Sequence, residues 1–476
     1  MGLNLDTKSN VNLAIRGILI VCLMSIALRF WGLGRFNVFV FDEIYYAKFA
    51  NNYLTNTPFF NSHPPLSQYL IAIGIWIGDR LPIGQDTTNT LTGSLHSTFS
   101  YRWMNALFGS FIPPLVAALA YQLSQRMSYA FLAALFISLD GLFLVDSRYA
   151  LNNIFLIFFG LLGQLLVLIA SGNSEWRYRL IMLGAGISFG ASIACKWNGL
   201  SFLFGIYILI FIAKVWRLIK SDSQLLDLAN SRLDRLASVS LIEIVFSLAI
   251  IPITIYSLLW IPHLIQNPQP NFIDVQWSIL NYHEQVGNGT GIHPYCANWY
   301  TWPLLMRPLA YYFTEYKPNY YYDVHAMGNP LLWWLALAAI FGSIWLVIKN
   351  SWLIIDKLTI EQTILAPIGA LNINYITVPL FIVINYAINL LPWLKVTRCL
   401  FIYHYMGAIL FAIMGLAWLV DLGLRSSSKL WQAAGLTAIF SVATTFVFWL
   451  PIYLGLSIEK SALSLRLWDF WIFNWI

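Results

Sequence analysis

Charge is scarce in this chain. Of 476 residues only 10% are Asp, Glu, Lys or Arg, 59% are hydrophobic, and mean hydropathy is +0.67. That scarcity excludes an ordinary water-solvated surface, so most of the chain must be solvated by lipid. Its formal charge of +6 is too small at this length to indicate a nucleic-acid partner. Basic residues beside apolar runs instead set topology or meet anionic membrane lipid. Cysteine is also sparse: Cys22, Cys195, Cys296 and Cys399 stand apart without a CxxC pair, and neither a disulfide framework nor a zinc site is expected. There is no Walker A loop, GxSxG, HExxH or strand-borne GxGxxG, which removes nucleotide-driven chemistry and the common hydrolase motifs.

What the chain has in abundance is apolar sequence. Each crossing of a hydrocarbon core of roughly 30 Å needs about 20 residues in a helix, because lipid cannot satisfy open backbone groups. Hydropathy predicts eleven spans: 11–33, 101–122, 129–146, 152–171, 178–196, 199–219, 238–262, 330–349, 364–391, 400–421 and 430–456. The expected architecture is an all-α polytopic membrane protein, a single membrane domain over 1–476 whose region 330–476 holds four helices. The first run is too long for a signal-peptide core and should remain as a span. Placing the N-terminus in the cytoplasm puts Arg126, Arg177, Arg179, Arg425 and Lys429 in short cytoplasmic connections, and the C-terminus outside.

Two long connections, 34–100 and 263–329, then fall outside, and loops of such length usually have a task. The first contains an apolar stretch, Leu66 to Gly78, suited to lying along the membrane surface or re-entering it. The second is rich in Trp, Tyr, Pro and His, as befits the headgroup layer. Adjacent carboxylates, Asp42 and Glu43, follow the first span within an aromatic run. Acids beside lipid are costly unless paired or placed in a wet cavity, so they are candidates for chemistry, against the plainer reading of headgroup-facing charge with Lys48 as helical neighbour. His63 precedes Pro64-Pro65 at the head of an apolar helix and suits phosphate binding or orientation of Asp42; a lone histidine is more often structural. Arg102 opens the second span at the same boundary, and its planar donor fork suits a phosphate. Asp146, Arg148, Asn152 and Asn153 cluster at a short outer turn, some of them pairing with each other; Lys196 ends another span, where snorkelling is the default reading.

These residues resemble the protein O-mannosyltransferase family, the dolichyl- or polyprenyl-phosphate-mannose enzymes of the GT-C glycosyltransferase class. The resemblance runs through Phe41-Asp42-Glu43, Lys48-Phe49-Ala50, His63-Pro64-Pro65-Leu66, Tyr101-Arg102, Ser147-Arg148-Tyr149 and Lys196-Trp197. It continues through His293-Pro294-Tyr295, Trp302-Pro303-Leu304, Arg307-Pro308, Arg398 and His404-Tyr405, so nearly the whole chain is covered. Asn153 stands where many relatives carry an aspartate, and 263–329 is too short for the MIR domain of eukaryotic relatives, so the chain resembles a bacterial form.

The resemblance implies a membrane-borne polyprenyl-phosphate sugar donor, an exported polypeptide acceptor and a bacterial plasma-membrane location with the active site outside. By the same resemblance Asp42 is the general base, Glu43 positions the acceptor, and Arg102 contacts the donor phosphate. His63, Arg148, Asn153, Lys196, Arg307, Arg398 and His404 complete the expected substrate-binding set. No cofactor is implied, and no residue spacing demands a metal ion. Two other readings stand beside this one: transfer of a different lipid-linked sugar to a glycan or lipid, and a polytopic transporter, for which buried charges are equally expected.

Overall fold

The computed structural model describes residues 8–170, 174–220, 232–285, 287, 292–361 and 374–476. Among the described residues ten helices are long and apolar enough to cross a membrane. They lie in α1 (Lys8–Phe30), α4 (Thr98–Ser124), α7 (Asn153–Ala170), α8 (Glu175–Cys195), α9 (Leu200–Lys220), the run from α11 (Leu241–Val245) to α12 (Ile251–Gln266), and the C-terminal α14 (Pro330–Glu361), α15 (Asn374–Leu390), α16 (Met406–Arg425) and α17 (Lys429–Tyr453). The chain is an integral membrane protein. The first ten residues of the span expected at 364–391 lie outside the described residues.

The expected span 129–146 is divided into α5 (Met127–Ser138) and α6 (Gly141–Asp146). Asp140 causes the division: one carboxylate oxygen caps α6 by accepting from Phe143 N at 2.9 Å, and the other accepts from the Trp333 indole at 2.6 Å. An acid engaged in this way satisfies the freed backbone and ties α6 to α14.

Small residues let helices meet closely in lipid, where apolar burial gives no drive to associate. A Cβ at Gly186 of α8 would lie 2.0 Å from Ser247 O, in the π-helical segment Phe246–Ile250 that joins α11 to α12. Polar side chains bind across helices too, as where Gln164 donates to Asn385 at 2.7 Å. At the end of the bundle far from the long loops, Asp421 accepts from Arg126 and Arg425, both at 3.1 Å.

The two long connections share one end of the bundle, here called the loop face. The first folds into α2 (Glu43–Thr55) and α3 (Leu66–Gly78), followed by a two-stranded ladder of β1 (Thr88–Asn89) and β2 (His96–Ser97). At 13 residues α3 is too short to cross; it packs between α2 and α4, with Gly78 lying so near α4 that a Cβ would come 2.7 Å from Ser100 Cα. The second connection holds α13 (Phe272–Gln285) and an antiparallel hairpin of β3 (Leu309–Lys317) and β4 (Tyr320–Ala326), extended by β5 (Ser457–Glu459). This sheet is an addition to the all-α expectation. Past α18 (Lys460–Ser464), a small hairpin of β6 (Asp469–Phe470) and β7 (Phe473–Asn474) ends the chain.

The cysteines correct a second expectation. Cys296 and Cys399 are joined in a disulfide, although 103 residues separate them. Spacing concealed the pair because the second connection folds back over the segment between α15 and α16.

Candidate active site

The site begins at Phe41, whose φ of +53° lies in the left-handed region that a bulky residue seldom occupies. The ring stacks on Tyr311 of β3, with centroids 4.4 Å apart and planes 6° off parallel. Past the turn the next two acids meet different surroundings. Glu43 is fully buried: one oxygen accepts from Arg102 Nε and Ala150 N, both at 2.9 Å, and the other from Arg102 Nη2 at 2.7 Å and Val40 N at 2.8 Å. Arg102 spends its remaining hydrogens on the carbonyls of Leu33, Phe36 and Val38. All five guanidinium hydrogens are therefore engaged.

Asp42 caps α2 through its backbone carbonyl, which accepts from Tyr45 N and Tyr46 N. Its half-buried carboxylate makes no side-chain hydrogen bond among the described residues and lies in the field of Lys196 and Asp146. Burial raises its pKa to about 6; Lys196 works against that rise and Asp146 adds to it. Lys196, between α8 and α9, sits 5.0 Å from the Tyr403 ring centroid and donates to Asn153 Oδ1 at 3.4 Å. Asn153 in turn donates to Asp146 Oδ1 at 3.2 Å, which also accepts from the Tyr311 hydroxyl at 3.0 Å. Burial, then Arg398, lowers the Lys196 pKa to about 8 against the pull of Asp42 and Asp146.

Beyond Lys196 opens a cavity of about 610 Å³. Lys196, Arg398, His63 and His283 give its lining cationic and hydrogen-bonding groups, and Leu200, Phe204, Ile279, Leu280 and Trp393 give it apolar ones. The two imidazoles face each other with centroids 5.1 Å apart, and His283 Nε2 lies 3.0 Å from Ser62 O. Burial pushes both below the usual histidine pKa, His283 to about 4, so near neutral pH they act as hydrogen-bonding groups. Lys196, Arg398 and Lys395 bring positive charge to the lining, and Glu284 brings a negative one. Among the described residues no three His, Cys, Asp or Glu side chains gather to hold a metal ion.

The sequence profile of dolichyl-phosphate-mannose-protein mannosyltransferases matches residues 19–266, more than half of the chain. The chain belongs to this family. A profile of the C-terminal four-transmembrane region of protein O-mannosyltransferases matches 268–471. The polyprenol-phosphate-mannose–protein mannosyltransferase of Mycolicibacterium smegmatis is 23% identical, over 90% of this chain and 86% of the relative. That of Mycobacterium tuberculosis is likewise 23% identical, over 94% and 90%. In fold, the Saccharomyces cerevisiae Pmt1-Pmt2 complex bound to the sugar donor superposes with a TM-score of 0.74 at 15% identity, covering 97% of this chain and 94% of that one. The Archaeoglobus fulgidus oligosaccharyltransferase gives 0.55 at 15% identity, over 94% and 56%. Fold class is thus GT-C-like, and the family member is a glycosyltransferase.

Within this mannosyltransferase-family fold, the expected site residues divide. His63, Lys196 and Arg398 line the cavity, while Asn153 accepts a hydrogen bond from Lys196 and Asp42 lies in the field of Lys196. Arg102 does not face it: the guanidinium expected to grip a phosphate is consumed in shaping 33–43, and Glu43, expected to position the acceptor, has no free surface. Arg148 is likewise buried, donating to the carbonyls of Leu28, Arg29, Trp31 and Gly32 at the C-terminal end of α1, where a cation suits the helix dipole. Arg307 lies over the Tyr295 ring and binds Pro294 O, Asn474 and Ile476 O, tying the chain's end to the second connection. His404 Nδ1 lies 2.9 Å from Phe401 O, and its ring stacks with Tyr403 and Trp302, so it supports the wall from behind.

His283 was not foreseen as a site residue, nor was Tyr403. The available signal for His283 was its place one turn past Ile279 on an amphipathic helix, so that Val275, Ile279 and His283 share a face.

Proposed function

We propose that the chain transfers mannose from a polyprenyl phosphate to Ser or Thr hydroxyls of exported polypeptides, inverting the anomeric centre, with Asp42 as general base. The observation that carries this reading is a carboxylate with no side-chain hydrogen bond among the described residues, in the field of Lys196, which itself lines a cavity that mixes cationic, imidazole and apolar side chains. A neutral hydroxyl is a weak nucleophile, and a carboxylate within hydrogen-bond reach can take its proton as the oxygen attacks. The new bond joins the hydroxyl oxygen to the anomeric carbon, the bond from that carbon to the phosphate oxygen breaks, and the proton ends on Asp42. The departing polyprenyl phosphate gains a negative charge, which Lys196 and Arg398 are placed to stabilise. These two take the role that the sequence reading gave to Arg102. Attack from the face opposite the phosphate requires inversion.

Leu200, Phe204, Leu280 and Trp393 offer the first isoprene units an apolar wall. A disulfide at the loop face favours an oxidising compartment there, which supports an active site and C-terminus outside the bacterial plasma membrane and an N-terminus in the cytoplasm. In this reading 34–100 carries the base, and 263–329 contributes the wall bearing His283. The test is purified protein with polyprenyl-phosphate mannose and a Ser/Thr peptide, following the product anomer by NMR. Retention of the donor's configuration, or no transfer to peptide while another lipid-linked sugar is used, would overturn it.

A further inference from the structure

We infer that the Cys296–Cys399 disulfide is a positioning element of the donor-phosphate site: it fastens the segment carrying Arg398 to the segment following α13, and opening it weakens donor binding while leaving the chemistry at Asp42 in place. The inference rests on the reading of the cavity as the donor site. Arg398 lies between two 3-10 turns, Leu391–Lys395 and Ile402–Tyr405, in a stretch without regular helix. Its Nη1 donates to the carbonyl of Cys399, the disulfide residue itself, at 3.3 Å. Across the bond, Ala297 N donates to Leu400 O at 2.8 Å, and Cys399 N donates to Gly287 O at 3.4 Å.

Gly287 follows α13, the helix that brings Ile279, Leu280, His283 and Glu284 to the cavity. The disulfide and the Ala297–Leu400 hydrogen bond therefore join the segment bearing Arg398 to residues 296–297 of the second connection, and the Cys399–Gly287 hydrogen bond joins it to Gly287. Each hydrogen bond is weak in net terms. The disulfide closes a loop of 103 residues, the length at which a crosslink removes much chain freedom. Both cysteines are buried, so the crosslink forms part of the wall's packing. Without it, Arg398 must be ordered each time a donor binds, and a binding site that is not preorganised loses affinity.

A dithiol opens the bond by supplying two electrons and two protons: the disulfide becomes two thiols, and the dithiol becomes its own disulfide. The experiment measures donor KM, peptide KM and kcat for the oxidised full chain, for the same protein after dithiothreitol, and for the double variant Cys296→Ser/Cys399→Ser. Mass spectrometry must first show both thiols free. The expected result is a donor KM raised roughly tenfold by either route, with peptide KM within about twofold, a fall in kcat no larger than that of Arg398→Ala, and no further response of the double variant to dithiothreitol. Unchanged donor KM with both thiols free overturns the inference, as does a loss spread evenly over kcat and both KM values, which marks a general structural role. Should the double variant not fold, the reduced natural protein supplies the answer. Arg398→Ala in the oxidised protein separates the two levels. If it leaves donor KM unchanged, the donor-site reading fails; if it raises donor KM and opening the bond does not, only the positioning role fails.

Discussion

Glu43 and Arg102 share two hydrogen bonds, Nε to one carboxylate oxygen at 2.9 Å and Nη2 to the other at 2.7 Å, and neither side chain has exposed surface. The pair organises the turn that presents Asp42. Removing one partner strands a buried charge, at a typical cost of ~3–5 kcal/mol. Arg102→Ala is therefore expected to lower folded yield and melting temperature in detergent, together with all activity. A well-folded Arg102→Ala protein with only its donor affinity reduced would restore the clamp role to this arginine.

Asp42→Asn keeps the shape of the side chain and removes its ability to accept a proton. Transfer is expected to fall by about 10²–10⁴-fold in kcat, the span typical of general-base loss, with donor binding and melting temperature near those of the natural protein. Measured by single-turnover transfer to peptide, wild-type kcat in this variant would dismiss Asp42 as the base.

Lys196→Ala and Arg398→Ala each remove a cation from the cavity wall. Each is expected to raise donor KM by at least about tenfold, because hydrogen bonds between charged partners are the strong ones. Peptide KM is expected to hold. A larger effect on peptide KM than on donor KM in titrations of both substrates would reassign this wall to the acceptor.

Activity should be bell-shaped in pH. As the proposed base, Asp42, raised to about 6, must be deprotonated, so transfer is expected to fall as pH drops below that value. Lys196, lowered to about 8, grips phosphate only when protonated, so donor affinity falls as pH rises through that value. Lys196→Arg, always charged, is expected to move the alkaline limb upward and leave the acid limb in place. An alkaline limb that stays put in this variant would show that another group titrates there.

Much of the bundle could be read in the sequence because lipid leaves a backbone few options: a long apolar run either becomes a helix or leaves polar groups unsatisfied. The break at Asp140 was hidden, since one acid in an apolar stretch looks tolerable until Trp333, far along the chain, is seen to hold it. The β3–β4 hairpin was hidden because its tyrosine-rich sequence reads equally well as an aromatic interfacial loop. Asp42, His63 and Lys196 were legible as polar groups beside apolar runs, where their cost calls for a reason, and Arg398 only through the family resemblance. Arg102 met the same criterion and misled. Its partner lies 59 residues away, and nothing local distinguishes an arginine kept for a ligand from one satisfied by a distant glutamate.

The left-handed turn at Phe41 gives the Asp42 carboxylate an unusual dependency. Its ring rests on Tyr311, and the Tyr311 hydroxyl holds the carboxylate that steadies Lys196 through Asn153. A sideways shift of β3 would consequently re-aim the Asp42 carboxylate and disturb the Lys196 ammonium in a single stroke, so a hairpin hundreds of residues downstream works as the alignment rod for both groups.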